Sequence, residues 1–152
     1  MVLNKDFREF IKFLNENDVK YLVVGGYAVA YYGHPRYTKD FDIWIEISEE
    51  NSLKMLKKLK DFGFGSLNIT KDDFLNPQLI IQLGNPPNKI NIINSYDGVE
   101  FDYCFKNKQI ILYDDLKINF IGLDDLKQNK KATGRLQDLA DLEKLTSGSD
   151  LT

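Results

Sequence analysis

Residues 21–46 read YLVVGGYAVAYYGHPRYTKDFDIWIE. The apolar run Tyr21-Leu22-Val23-Val24 has the character of a strand covered on both faces. Gly25-Gly26 interrupts it, and small apolar residues to about Tyr32 carry a helix that Gly33-His34-Pro35 ends. Phe41, Ile43 and Ile45 then alternate with Asp42, Trp44 and Glu46, the period of two that marks a second strand. Asp40 and Asp42, two residues apart, project from one face of that strand. Opposite them, the helix that starts at the glycines offers free backbone N–H groups to an anion. Carboxylates to hold a divalent cation, beside a helix end to hold phosphates, suit chemistry on a nucleoside triphosphate.

Neither half of this pattern is specific alone, because double glycines mark many ordinary turns and Asp-x-Asp is common. Their combination, with 13 residues between Gly26 and Asp40, is sharper. Asp is depleted in strands, and two like charges on one face repel unless a cation or a basic group lies between them. Local conflicts of this kind concentrate where function does.

The rest of the chain supplies the frame. Phe7, Phe10, Ile11 and Leu14 fall at helical spacing, predicting an amphipathic helix over 4–16 with Asn4 as its N-cap. Ser48 caps a helix to about Asp61, with Leu53, Leu56 and Leu59 expected inward, lysines 54, 57, 58 and 60 solvated, and Gly63 as the stop. Strands are expected over 78–83 and 89–93, separated by the turn Gly84-Asn85-Pro86-Pro87, then a short helix over 99–105. Further strands are read at 109–113 and 118–121, and helices at 123–131 and 136–145. Residues 147–152 read as a frayed tail, leaving 1–146 as one domain. Mixed helices and strands with short connections indicate the α+β class, a small mixed sheet with helices packed against it.

Composition bounds what the chain does. With 152 residues and 43% hydrophobic content, one domain with a real core is expected. Lys and Arg number 20 against 23 Asp and Glu, a net charge of −3, so the broad basic footprint of a non-specific nucleic-acid binder is absent. The single cysteine, Cys104, fits a reducing compartment and reads as a small core residue. No apolar run approaches the roughly 20 residues that span a bilayer, and Met1 leads into polar Asn4-Lys5-Asp6 rather than a leader. A cytoplasmic protein with no membrane association is expected.

The segment resembles the polymerase-beta-type nucleotidyltransferase superfamily, and especially its minimal single-domain bacterial members. Arg36-Tyr37-Thr38-Lys39-Asp40 is similar to the Arg-x-Thr-x-Asp lead-in of that family. Leu83 through Ile93 looks like a loop and strand of the minimal members, and Asp97-Gly98-Val99-Glu100-Phe101 like the segment that follows. Asn129 to Arg135 and Asp138-Leu139-Ala140-Asp141-Leu142 resemble their C-terminal Lys…Gly-Arg…Asp…Asp helix. The likeness runs over about residues 20–145. It implies the nucleotidyltransferase fold, with Gly25 and Gly26 as the phosphate turn, Asp40 and Asp42 as ligands of Mg²⁺, and Arg36, Thr38 and Lys130 near the nucleotide. Several minimal relatives belong to toxin–antitoxin or phage-defence pairs, which implies a partner protein. The reaction implied is transfer of a nucleoside monophosphate to a hydroxyl of a protein or small molecule.

One position departs from the family. A third metal carboxylate is normal at the centre of the later strand, flanked by apolar residues, and Asn91 stands there. An amide oxygen ligates a hard cation but cannot act as a base, so a two-metal site is expected to be weakened. Asp97, Glu100 and Asp102 are nearby carboxylates in a turn and helix, poorly placed to substitute. A catalytically impaired module that keeps the fold and binds nucleotide or a partner is therefore the alternative. An RNA-binding role for Lys127, Lys130, Lys131 and Arg135 is disfavoured by net charge, a solvated face with Arg135 paired to Asp138 being the plainer reading. His34 reads as a loop residue without metal partners, and Trp44 as a packed sheet residue rather than a cover for a base.

Overall fold

The computed structural model describes residues 3–33, 40–61, 68–85 and 88–150. Helix α1 (Lys5–Glu16) starts where the Asn4 side chain accepts the Phe7 N–H at 2.9 Å. Its buried residues are Phe7, Phe10, Ile11 and Leu14, as the spacing predicts. The strand β1 (Tyr21–Val24) is buried throughout and runs directly into α2 (Gly25–Tyr32). After β2 (Asp40–Ile45) come α3 (Glu49–Asp61) and a short α4 (Lys71–Leu75). The hairpin β3 (Ile80–Leu83) and β4 (Lys89–Ile93) leads to α5 (Phe101–Lys106). A second hairpin, β5 (Gln109–Tyr113) and β6 (Leu116–Phe120), precedes α6 (Leu123–Thr133) and α7 (Leu136–Asp150). Among the described residues no helix is long and apolar enough to cross a membrane.

The strands form one six-stranded mixed sheet in the order β3-β4-β2-β1-β6-β5. β1 pairs antiparallel with β2 and parallel with β6, while β2 pairs parallel with β4. Register sorts the side chains into two faces. Tyr21, Val23, Phe41, Ile43, Ile45 and Phe120 share one face, against which α1 and α2 pack. There the Phe7 ring stacks on Phe41 with centroids 4.6 Å apart, and Tyr27 meets both edge-on. The other face carries Asp40, Asp42, Trp44 and Asn91. Trp44 is only 2% exposed, packed between Tyr96 and Phe101, so the plainer reading of it holds.

Three expectations change. Helix α3 is rotated from the leucine face read in the sequence: Asn51, Ser52, Met55, Lys58 and Leu59 are buried, whereas Leu53 is 53% exposed. Asn51 sets that rotation. Its amide accepts the Lys20 N–H at 2.9 Å and donates to the carbonyls of Lys20 and Glu46, which ties the helix to the start of β1 and the end of β2. In consequence Lys58, expected in solvent, is buried with its ammonium 3.5 Å from the centroid of the Phe13 ring and 3.9 Å from Asp61. The apolar stem and the ring attraction together offset its desolvation. Helix α4 is missing from the sequence reading because five residues are too few to show a period; a Thr70–Asp73 capping box begins it. Ser48 does cap α3, its hydroxyl accepting the Asn51 N–H at 3.1 Å. Gly63, Pro86 and Pro87 lie outside the described residues.

Candidate functional site

Three chain segments converge where β1 gives way to α2. Gly25 adopts φ +67°, a left-handed conformation that L side chains avoid. That turn lets the Asp42 carboxylate come so close that a Cβ on Gly25 would overlap Asp42 Oδ2. Asp42 is the partner of Val24 across the β1–β2 ladder, so the approach follows from strand register. The Gly25 N–H donates to the Tyr96 hydroxyl at 3.1 Å, which fixes the turn from the far side. Val24 at the N-cap supplies no side-chain acceptor, so α2 opens beside the carboxylates without a capping side chain.

Asn91 occupies the space between the two aspartates. In the β2–β4 ladder it is the partner of Asp42, and its Nδ2 donates to Asp42 Oδ1 at 2.8 Å and to Asp40 Oδ2 at 3.2 Å. One neutral amide thus relieves the repulsion that the sequence poses between these charges. Lys89, the partner of Asp40, brings its ammonium to 4.0 Å from Asp40 Oδ2. Burial pushes the Asp42 carboxyl up from its ordinary range; the Asn91 hydrogen bond opposes this, and the Asp40 charge adds to it. Asn91 Oδ1 is buried and has no hydrogen-bond partner among the described residues.

Lys130 lies on α6, and its charge acts on Asp42. Its ammonium lies 3.2 Å from Asp138 Oδ1 and 3.9 Å from Asp141 Oδ2, with all three side chains at most 7% exposed. Arg135 Nε donates to Asp138 Oδ2 at 2.7 Å, and the Thr133 hydroxyl donates to the same oxygen. Lys127, Lys130, Lys131 and Arg135 therefore do not form one solvated face, because Lys130 is turned inward. The Gly134 αL cap, φ +66°, lets the chain reverse so that the first turn of α7 returns to Lys130.

The structure thus brings together Gly25, Asp40, Asp42, Asn91 and Lys130, with Gly26 in the first turn of α2. Arg36, Thr38, Lys39 and His34 lie outside the described residues. Asp97, Glu100 and Asp102 do not complete a cluster: among the described residues no group of three or more His, Cys, Asp or Glu side chains is placed to hold a metal. Sequence reasoning missed Tyr96, Lys89 and the inward role of Asp138 and Asp141. Only Lys89 left a trace, as the sole cation of its strand, two residues before Asn91. The oxygen donors that would suit one hard cation are the two carboxylates alone, since Asn91 turns its amide nitrogen, not its oxygen, toward them.

No protein-family model matches the chain, and no curated protein matches it. Among solved structures it is similar to a putative nucleotidyltransferase from Thermotoga maritima. The TM-score is 0.59 at 19% identity, covering 92% of this chain and 89% of that chain. The two share the nucleotidyltransferase fold.

Proposed function

We propose that this chain binds a nucleoside triphosphate together with Mg²⁺ at the β1–α2 turn and transfers a nucleoside monophosphate to a hydroxyl of a protein or small molecule. The observation that supports this reading is the close approach of the Asp42 carboxylate to the Gly25 turn, beside the uncapped start of α2. Asp40 and Asp42 would hold the ion, and Gly25 and Gly26 would position the phosphates. Lys130 would add positive charge from behind Asp42. Bound Mg²⁺ would screen the triphosphate charge and favour attack at the α-phosphorus. In that step the acceptor oxygen bonds to phosphorus, pyrophosphate leaves, and the hydroxyl proton passes to solvent. Arg36 and Thr38 belong to the same proposal as nucleotide contacts. So does a partner protein that selects the acceptor, as expected for a chain of toxin–antitoxin or defence type.

Isothermal titration with ATP or GTP in Mg²⁺ tests the reading. Heat of binding is expected from the natural chain, and its loss on Asp42→Ala. Absence of heat, or heat that survives the substitution, would sink the proposal.

A second reading, binding without turnover, is favoured by one observation: the Asn91 amide already satisfies both carboxylates. Asn91→Asp separates the two. Without Mg²⁺ the variant is expected to melt below the natural chain, because two donated hydrogen bonds become a third clustered negative charge. Excess Mg²⁺ should then raise its melting temperature more than that of the natural chain, since only the folded state holds the ion. If labelled-nucleotide transfer appears only in Asn91→Asp, the natural chain is a binding module. Transfer by the natural chain settles for the enzyme.

A further inference from the structure

Strand β4 brings one charged side chain to the pair of aspartates, and it is positive. Its sequence, Lys89-Ile90-Asn91-Ile92-Ile93, sets Lys89 and Asn91 two residues apart on the face that carries Asp40 and Asp42. Asn91 is neutral and already donates to both carboxylates. Lys89 is held less closely. Its ammonium lies 4.0 Å from Asp40 Oδ2, beyond hydrogen-bond range, and its side chain is 23% exposed. Burial raises the Asp42 carboxyl, and the Lys89 charge is among the groups that oppose that rise, so this one cation acts on both aspartates.

The charges of the neighbourhood single Lys89 out. Lys130 and Arg135 are paired with Asp138 and Asp141, and those four charges cancel. One Mg²⁺ on Asp40 and Asp42 would likewise leave no net charge, and a neutral pair of ligands and ion has little Coulombic hold on a polyanion. Lys89 supplies the positive charge that remains. Its place is also apt. Strands β1 and β4 flank β2, so the start of α2, which continues β1, and Lys89 on β4 stand on opposite sides of the aspartates, about 10 Å apart at two strand spacings. Phosphates held at α2 on one side thus extend across the aspartates toward the ammonium on the other. On the nucleotide reading proposed above, we infer that Lys89 binds phosphate, its ammonium serving beside one Mg²⁺ as the second cation that holds the triphosphate. A lysine ammonium is a compact point charge with three rotatable donors, which suits it to phosphate oxygens, and its loose contact with Asp40 leaves it able to turn to them.

Two measurements on the natural chain, Lys89→Met and Lys89→Arg test this: titration in Mg²⁺ with whichever of ATP and GTP the natural chain binds, and thermal melts in Mg²⁺ without nucleotide. Lys89→Met is expected to weaken triphosphate binding about tenfold, the loss of one charge-assisted contact. Lys89→Arg keeps the charge and should stay within about threefold of the natural chain. The ion alone should respond in the opposite sense. With no ammonium beside Asp40, Mg²⁺ should raise the melting temperature of Lys89→Met more than that of the natural chain. A lysine that only supports the fold would weaken both ligands together. Triphosphate binding unchanged in Lys89→Met overturns the inference. So does a loss of that binding without the stronger response to Mg²⁺, or an arginine variant that binds no better than the methionine one. No heat from the natural chain with either nucleotide would instead sink the nucleotide reading itself, and the role of Lys89 with it.

Discussion

Replacing Lys130 by methionine is expected to lower unfolding free energy by about 3 kcal/mol, read from urea midpoints at neutral pH. Methionine keeps most of the side-chain volume and removes the charge. Asp138 and Asp141 would then lose a cation within a cluster whose side chains are nearly excluded from water. Leaving a buried charge short of its partner costs far more than an exposed pair contributes. Arg135 and Thr133 still donate to Asp138, which is why the figure sits at the lower end of the range for such breaks.

The same cluster predicts an acid dependence. Burial alone would push the Asp138 carboxyl up, but the hydrogen bonds from Thr133, Arg135 and Lys130 outweigh it and hold the group below its ordinary value. A carboxyl that releases its proton more readily when folded contributes stability above its unfolded pKa, about 3.9. That contribution disappears as pH falls from there through the lowered folded value. Lys130→Met removes one of the three donors, so stability lost below about pH 4 should be smaller in the variant than in the natural chain. Equal losses in both would show that Lys130 is not what lowers Asp138.

Gly25→Ala is expected to lower stability by about 3 kcal/mol and, if the proposed function holds, to weaken triphosphate binding. Two physical terms combine. An L side chain at φ +67° is strained by about 1–2 kcal/mol. The added methyl must also displace the Asp42 carboxylate, an overpacking cost of about 1–3 kcal/mol. Gly134→Ala isolates the first term, because that glycine has φ +66° and nothing within 4 Å of the position a Cβ would take. Thermal unfolding should therefore show Gly134→Ala as a loss of about 1 kcal/mol, well short of Gly25→Ala. If the two variants lose the same amount, the close approach of Asp42 contributes nothing. Moving Asp42 also pulls it from Asn91, so triphosphate binding measured by titration should fall with stability.

How much of this was legible beforehand depended on the range of the signal. The α1 face, the continuous burial of β1 and the alternation of β2 depend on neighbours in the chain, and each emerged at its expected place. Periodicity failed at α3, where a single polar residue, Asn51, outbid the leucines by bonding two distant backbone segments. It failed again at Lys58, since an amphipathic side chain is sorted by whichever surface its stem finds. The pairing of Asp40 with Asp42 and the glycine turn were both readable as local conflicts. What relieved the conflict was not.

By itself, then, the chain of residues determined the mixed α+β architecture, the strand that carries the aspartates and the helix that starts at Gly25. Period and turn chemistry are short-range properties, set by steric limits within a few residues. Only the tertiary structure decided that an amide would stand between the carboxylates, that Tyr96 would grip the glycine turn, and that Lys130 would face Asp138 and Asp141. Those partners are 49, 71 and 8 residues apart, and the first two meet only through sheet register and the packing above it. Electrostatic and hydrogen-bond energies fall off within a few ångströms of space, whatever the distance along the chain, so no linear pattern encodes them.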